Sequence, residues 1–137
     1  MNAGERLRRY AELAVRVGAN VQPGQPVGIW AQVEHAPVAR SIAAEAYRAG
    51  ARSVAVQYLD RFIRRAAIEH GSEDVELGKT PEHVVDWIRS FGDTGTAFIQ
   101  LTGDPNPQLF ADLDAPVAAG MGRRAGAAVD RKSTRLN

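Results

Sequence analysis

A turn, a short apolar run, an amphipathic helix and a second apolar run follow one another between Val21 and Asp60. Few arrangements other than a βαβ unit absorb that order. Pro23-Gly24 has the chemistry of a turn that leads into a strand. Val27-Gly28-Ile29-Trp30-Ala31 suits a strand covered on both faces. Pro37 fits the first helical position, where its missing N–H costs nothing. From there Val38, Ala39, Ile42, Ala43 and Ala46 recur at helical spacing, with Arg40, Ser41, Glu45 and Arg48 on the opposite side. Gly50 is placed to end that helix in the left-handed conformation. Val54, Ala55, Val56 and Tyr58 then give a second buried strand, and the crossover between the two strands is expected to be right-handed.

The same reading extends along the chain. A first helix is expected from about Ala3 to Val17, with Leu7, Tyr10, Ala11, Ala14 and Val17 on one face. Glu5 with Arg9 and Glu12 with Arg16 stand in the favourable i,i+4 order, and Gly18 is the expected stop. Asp60 is expected to cap a helix over Arg61–His70 that turns Phe62, Ile63, Ala66 and Ala67 inward and ends at Gly71. Ser72 to Lys79 reads as an exposed acidic loop. Thr80-Pro81-Glu82-His83 starts another helix, with Val84, Val85, Trp87, Ile88 and Phe91 as its core face and Gly92 at its end. Gly95 to Leu101 is a third strand, Gly103 to Asn106 a turn, and Asn106-Pro107 opens a short helix through Asp112. Ala115–Val129 is Ala-rich, and its interior Gly120, Gly122 and Gly126 predict a frayed or broken helix. Strands separated by helices imply an open, mainly parallel, Rossmann-like α/β sheet flanked by helices.

With 137 residues there is room for one domain with a real core. The absence of cysteine rules out disulfides and thiolate metal sites and fits a reducing compartment. No apolar run approaches the roughly 20 residues of a membrane span, and the amphipathic N-terminus lacks a signal peptide's apolar core. A cytoplasmic protein is therefore expected. The segment Asp130–Asn137 does not resemble the rest of the chain, since it holds one of only two lysines in an Arg-rich sequence. Back-translated, it matches a common sequencing adapter read in frame, so residues 130–137 are expected to be a processing scar and 1–129 the native domain. That tail carries three basic residues and one acidic residue, so without it the net charge moves from +1 to −1. The basic pI then says nothing about nucleic acid.

In an open α/β sheet ligands sit at the carboxyl ends of the strands. Those ends offer Gln32, Glu34 and His35, then Asp60, then Thr102, Asp104 and Asn106. They read either as a small polar crevice or simply as helix caps and a turn, and capping residues belong at Asp60 and Asn106 in any case. Dinucleotide binding fails on the turn Gln32-Val33-Glu34-His35, which has no G-x-G-x-x-G and places Glu34 against a phosphate. Glu34-His35, Glu69-His70 and Glu82-His83 are the residue types of a zinc or cobalt site. Neighbouring positions on a helix diverge, however, and no H-E-x-x-H spacing occurs. Arg61, Arg64 and Arg65, and Arg123-Arg124, read as solvated helix faces rather than a nucleic-acid patch. Trp30, Trp87, Phe62 and Phe91 read as core. No G-x-S-x-G is present. No residue is assigned a catalytic, cofactor-binding or metal-ligating role.

Several pieces in order carry a resemblance: YAELAVRVGANVQPGQ from Tyr10, APVAR at Ala36–Arg40, EAYRAGA at Glu45–Ala51, and the strand ending at Asp60. The strand Ala97–Leu101 and the following TGDPNPQLF continue it more loosely, over most of residues 5 to 118. Together they resemble the N-terminal domain of the two-metal aminopeptidases of the aminopeptidase T and aminopeptidase S type, the thermophilic metalloprotease family. The resemblance implies an enzyme that removes N-terminal residues from peptides and is a homodimer when complete. It implies two divalent ions (zinc, cobalt or magnesium) held by carboxylates and histidines of a C-terminal domain and sharing a bridging water. None of those ligands maps onto this chain, so the 137 residues are expected to be an inactive N-terminal fragment. The alternatives are a small α/β ligand-binding module using the strand ends near Asp60 and Asp104, or a dimerisation module.

Overall fold

The computed structural model describes residues 1–109, 111 and 112. The expected helix Ala115–Val129, Arg123-Arg124 and the segment 130–137 lie outside the described residues. The chain forms two compact units, one made of Met1–Leu59 and Glu82–Gly103, the other of Asp60–Pro81 and the chain from Asp104 onward.

The first unit is built on a parallel sheet of β1 (Pro26–Gln32), β2 (Ser53–Leu59) and β3 (Ala97–Gln100), in the order β2-β1-β3. The expected α/β architecture is what forms. Register is fixed by the apolar pattern: Val27 stands beside Val54 and Ala97, and Ile29 beside Val56 and Ile99. Those residues line one face, where they join Ala39, Ile42 and Ala46 of α2 (Ala36–Arg48) and Ala11 of α1 (Ala3–Glu12) in a single core. Among the described strands only β1 is buried on both faces; β2 is an edge strand with Ser53 and Ala55 exposed, not the fully buried strand its composition suggested. On the other face Gly28 has no side chain because α4 (Glu82–Thr94) presses there. A Cβ at Gly28 would stand 2.8 Å from Phe91 Cζ. Phe91 meets Trp87 edge-on at 4.9 Å between centroids and Phe98 at 5.3 Å, so the aromatics fill the space that glycine leaves.

Local chemistry explains the connections. Asn2 and Glu5 close a capping box on α1, so Glu5 is used there rather than by Arg9. Past Glu12 the helix widens into a π-turn over Leu13–Gly18, with Ala19 N–H donating to Ala14 O at 2.8 Å. The extra residue per turn changes which side chains face inward. Val15 enters the core, while Tyr10, Leu13 and Val17, two of them expected inside, are 52%, 61% and 72% exposed. Gly50 takes φ +97 at the end of α2, as expected, and its carbonyl accepts from Gly24 N–H at 2.7 Å. Gly92 does not end α4; the helix runs through it to Thr94, and Gly95 at φ +65 makes the turn.

In the second unit Asp60 caps α3 (Arg61–His70), its carboxylate accepting from Phe62 N–H at 2.9 Å. The face expected inside is outside: Phe62 and Ile63 are 53% and 68% exposed, and Ile68 is the buried residue. The arginines expected in solvent are engaged instead. Arg61 pairs with Asp104 at 2.6 Å, and Arg65 grips Glu69, Asp112 and the Leu109 carbonyl. Two charge pairs and a carbonyl thus set the helix's orientation against the 104–112 segment. That segment is a run of turns, with Leu109 N–H donating to Asn106 O, where a short helix was expected.

Candidate site at the strand ends

β1 passes at Gln32 into one tight 3₁₀ turn, Val33–His35, and then directly into α2. The turn is held from inside: Gln32 N–H donates to His35 Nδ1 at 3.3 Å. An Nδ1 that accepts leaves the proton of the neutral ring on Nε2. The Gln32 carboxamide lies on the His35 N–H side of the turn, in the arrangement of a capping box. Its Oε1 is shut off from solvent, and the group it answers to is the His35 backbone N–H. Alongside, Leu101 N–H donates to Trp30 O at 2.8 Å, so Thr102 leaves the sheet beside the end of β1 and Gly103 turns the chain away at φ +104.

The other strand-end residues have structural duties. Asp60 is spent on the α3 cap. Asp104 accepts from Asn106 N–H at 2.9 Å; this bond, with the Arg61 charge, outweighs desolvation and holds its carboxyl below the usual carboxylate range. Gln32, Glu34, His35 and Thr102 belong to the first unit, and Asp60, Asp104 and Asn106 to the second.

Among the described residues no three His, Asp or Glu side chains converge on a point. His35 gives Nδ1 to Gln32, Glu69 is taken by Arg65 with His70 at 3.6 Å, and His83 is exposed in the first turn of α4. The described residues do not fit a pair of divalent ions. Glu45, expected on the outer face of α2, is instead buried and gripped by Arg16 and Arg48 at 3.0 Å each. It borders an open cleft of about 540 Å³ with Arg9, Leu13 and Val17, but both its oxygens are already occupied. Gln32 was marked in the sequence by its position at the end of β1; its enclosure appears only once the strand end and turn are folded.

A three-stranded parallel sheet in the order β2-β1-β3 with helices on both faces defines an open α/β domain. The thermophilic metalloprotease (M29) family profile matches residues 3–136, and the chain belongs to that family. Aminopeptidase 2 of Geobacillus stearothermophilus is 36% identical over 115 residues, covering 83% of this chain and 27% of that protein. Aminopeptidase AmpS of Bacillus subtilis (strain 168) is 31% identical over 91% of this chain and 30% of its own length. The solved structure of wild-type AmpT from Thermus thermophilus superposes with a TM-score of 0.77 at 30% identity, over 90% of this chain and 31% of that one. The chain spans under a third of the length of each. No helix among the described residues is long and apolar enough to cross a membrane.

Proposed function

We propose that this chain is the N-terminal α/β part of a metal-dependent aminopeptidase that hydrolyses N-terminal residues from peptides, and that these 137 residues alone are inactive. The observation that carries the reading is the family match over nearly the whole chain, beside relatives named aminopeptidases that are about three times as long. In this reading residues 1–129 are the native N-terminal domain and 130–137 the adapter-derived tail. The two divalent ions (zinc, cobalt or magnesium) are held by residues beyond this chain. The complete protein is cytoplasmic, a homodimer, and has neither nucleic-acid nor membrane partners; the absence of cysteine fits that location.

The test is hydrolysis of an aminoacyl p-nitroanilide, with cobalt or zinc added, by the 137-residue chain and by the product of the locus re-sequenced past the Val129 codon. Turnover by the longer product alone is expected. Turnover by the 137 residues would overturn the inactivity, and none by a longer product would overturn the aminopeptidase reading. A binding module built on Asp60 and Asp104 has less support, because both carboxylates are already engaged.

A further inference from the structure

On its face of the sheet α4 covers β1 and leaves β2 open. Ser53 and Ala55 of that edge strand turn toward the α4 side and are exposed, while the alternating Val54 and Val56 pack on the core. Beside α4 this leaves a slot of about 220 Å³ that reaches solvent along β2. Gly28 and its register partner Ala55 give it a floor of small residues. Trp87 and Phe91, set edge-on to each other, form its wall. An apolar cavity of about 150 Å³ accepts a benzene ring, so this slot has room for a ring and a small head group. All of its lining belongs to the first unit.

Arg52 and Thr96 immediately precede β2 and β3, so with Ser90 and Thr94 at the close of α4 they make the polar end of the slot. Ser90 Oγ spends its one proton on the Trp87 carbonyl at 2.6 Å, and Thr94 Oγ1 donates to the Ser90 carbonyl at 2.8 Å. Thr96 is therefore the donor in its 2.6 Å contact with Thr94 Oγ1. With every hydroxyl proton committed, the three groups can only accept. They stand at the negative end of α4, whose last turn holds no basic residue. A ligand ammonium is the group that answers to them. Arg52 asks for the opposite charge. Its guanidinium is exposed at the slot and makes no hydrogen bond or ion pair among the described residues, so a carboxylate is its counterpart. We propose that the slot binds a free amino acid with an aromatic side chain, its ring against Trp87 and Phe91, its ammonium on the hydroxyls and its carboxylate on Arg52. The inference rests on the peptidase reading only for the source of the ligand, since such an enzyme releases amino acids.

The experiment is titration of the ¹⁵N-labelled 137-residue chain with L-phenylalanine, L-phenylalaninamide and phenylpropionate. The amide lacks the carboxylate and the propionate lacks the ammonium; a mildly acidic buffer keeps the amide's amine charged. Saturable shifts centred on Ala55, the Trp87 indole and Thr96 are expected with phenylalanine. Each analogue is expected to bind about tenfold more weakly, the worth of one charged hydrogen bond. In Arg52→Gln, phenylalanine should fall to the level of the amide while the amide itself is unaffected. Ala55→Leu, which fills the slot from an exposed position, should remove binding of all three. Shifts that never saturate would mean contact at high concentration only and would overturn the site. An analogue that binds as tightly as phenylalanine, or an Arg52→Gln chain that binds phenylalanine as before, would overturn it too. Anilide hydrolysis by the longer product is read separately, so failure of the site and failure of the peptidase reading remain distinguishable.

Discussion

Glu45 is a carboxylate with 4% of its surface exposed, beside two arginine side chains that are about half exposed. Burial pushes its carboxyl up, but the hydrogen bonds and charges of Arg48 and Arg16 together outweigh that, and its pKa falls below the ordinary 4.5. A carboxyl depressed in the folded state stabilises it above the unfolded pKa, and that contribution disappears as pH falls through the folded value. Glu45→Ala leaves arginines that can turn to water, so the loss is smaller than for a stranded buried charge, about 1–3 kcal/mol at pH 7. In urea titrations of wild type and Glu45→Ala the difference should narrow below pH 4; a constant difference would contradict the ion-pair origin. Asp112 behaves alike at the surface: the Arg65 hydrogen bond, aided by its own backbone N–H, takes its carboxyl down to about 2. In Arg65→Met a carbon-detected NMR titration should find it raised toward the ordinary 3.8, and an unmoved value would remove Arg65 as the cause.

Elements show what a sequence pattern does and does not encode. The β1-α2-β2 order was legible because continuous apolar runs and helical spacing are local properties of Val27 to Tyr58. The orientation of α3 was not, because Phe62, Ile63 and Ala66 satisfy an apolar-face pattern while Arg61 and Arg65 answer to Asp104 and Asp112, more than forty residues away in sequence. The π-turn was hidden for the same reason: nothing within Leu13–Gly18 announces that Val15 must reach the core. At the strand ends, Asp60 as a cap was readable from position alone, whereas the enclosure of Gln32 Oε1 is a property of the fold. Glycines separate in the same way. Gly71 was expected merely to stop α3, yet its φ is −69, and its role is space: a Cβ there would lie 2.5 Å from Ala67 O and 2.9 Å from Val75 Cβ. Gly92 meets nothing within 4 Å inside α4. Gly71→Ala should therefore cost about 1–3 kcal/mol and Gly92→Ala should gain up to about 1 kcal/mol. Chemical denaturation of both variants checks the opposite signs, and a shared sign would refute the distinction between crowding and propensity.

For the molecule as a whole, family membership and the open α/β sheet agree with the order of motifs in the sequence, while the metal chemistry of the family has no counterpart among the described residues. One feature of the sheet also bears on how the chain acquires its shape during synthesis. The central strand has its first neighbour once Leu59 has been made, but its second, β3, begins only at Ala97, after an excursion that belongs to the other unit. Through that interval a nascent chain presents the β3-facing edge of Val27–Trp30 unpaired, the kind of edge onto which foreign strands add. The polypeptide emerging from the ribosome is thus most exposed to misassembly between its fifty-ninth and its hundredth residue, and late closure by a four-residue strand ends that exposure.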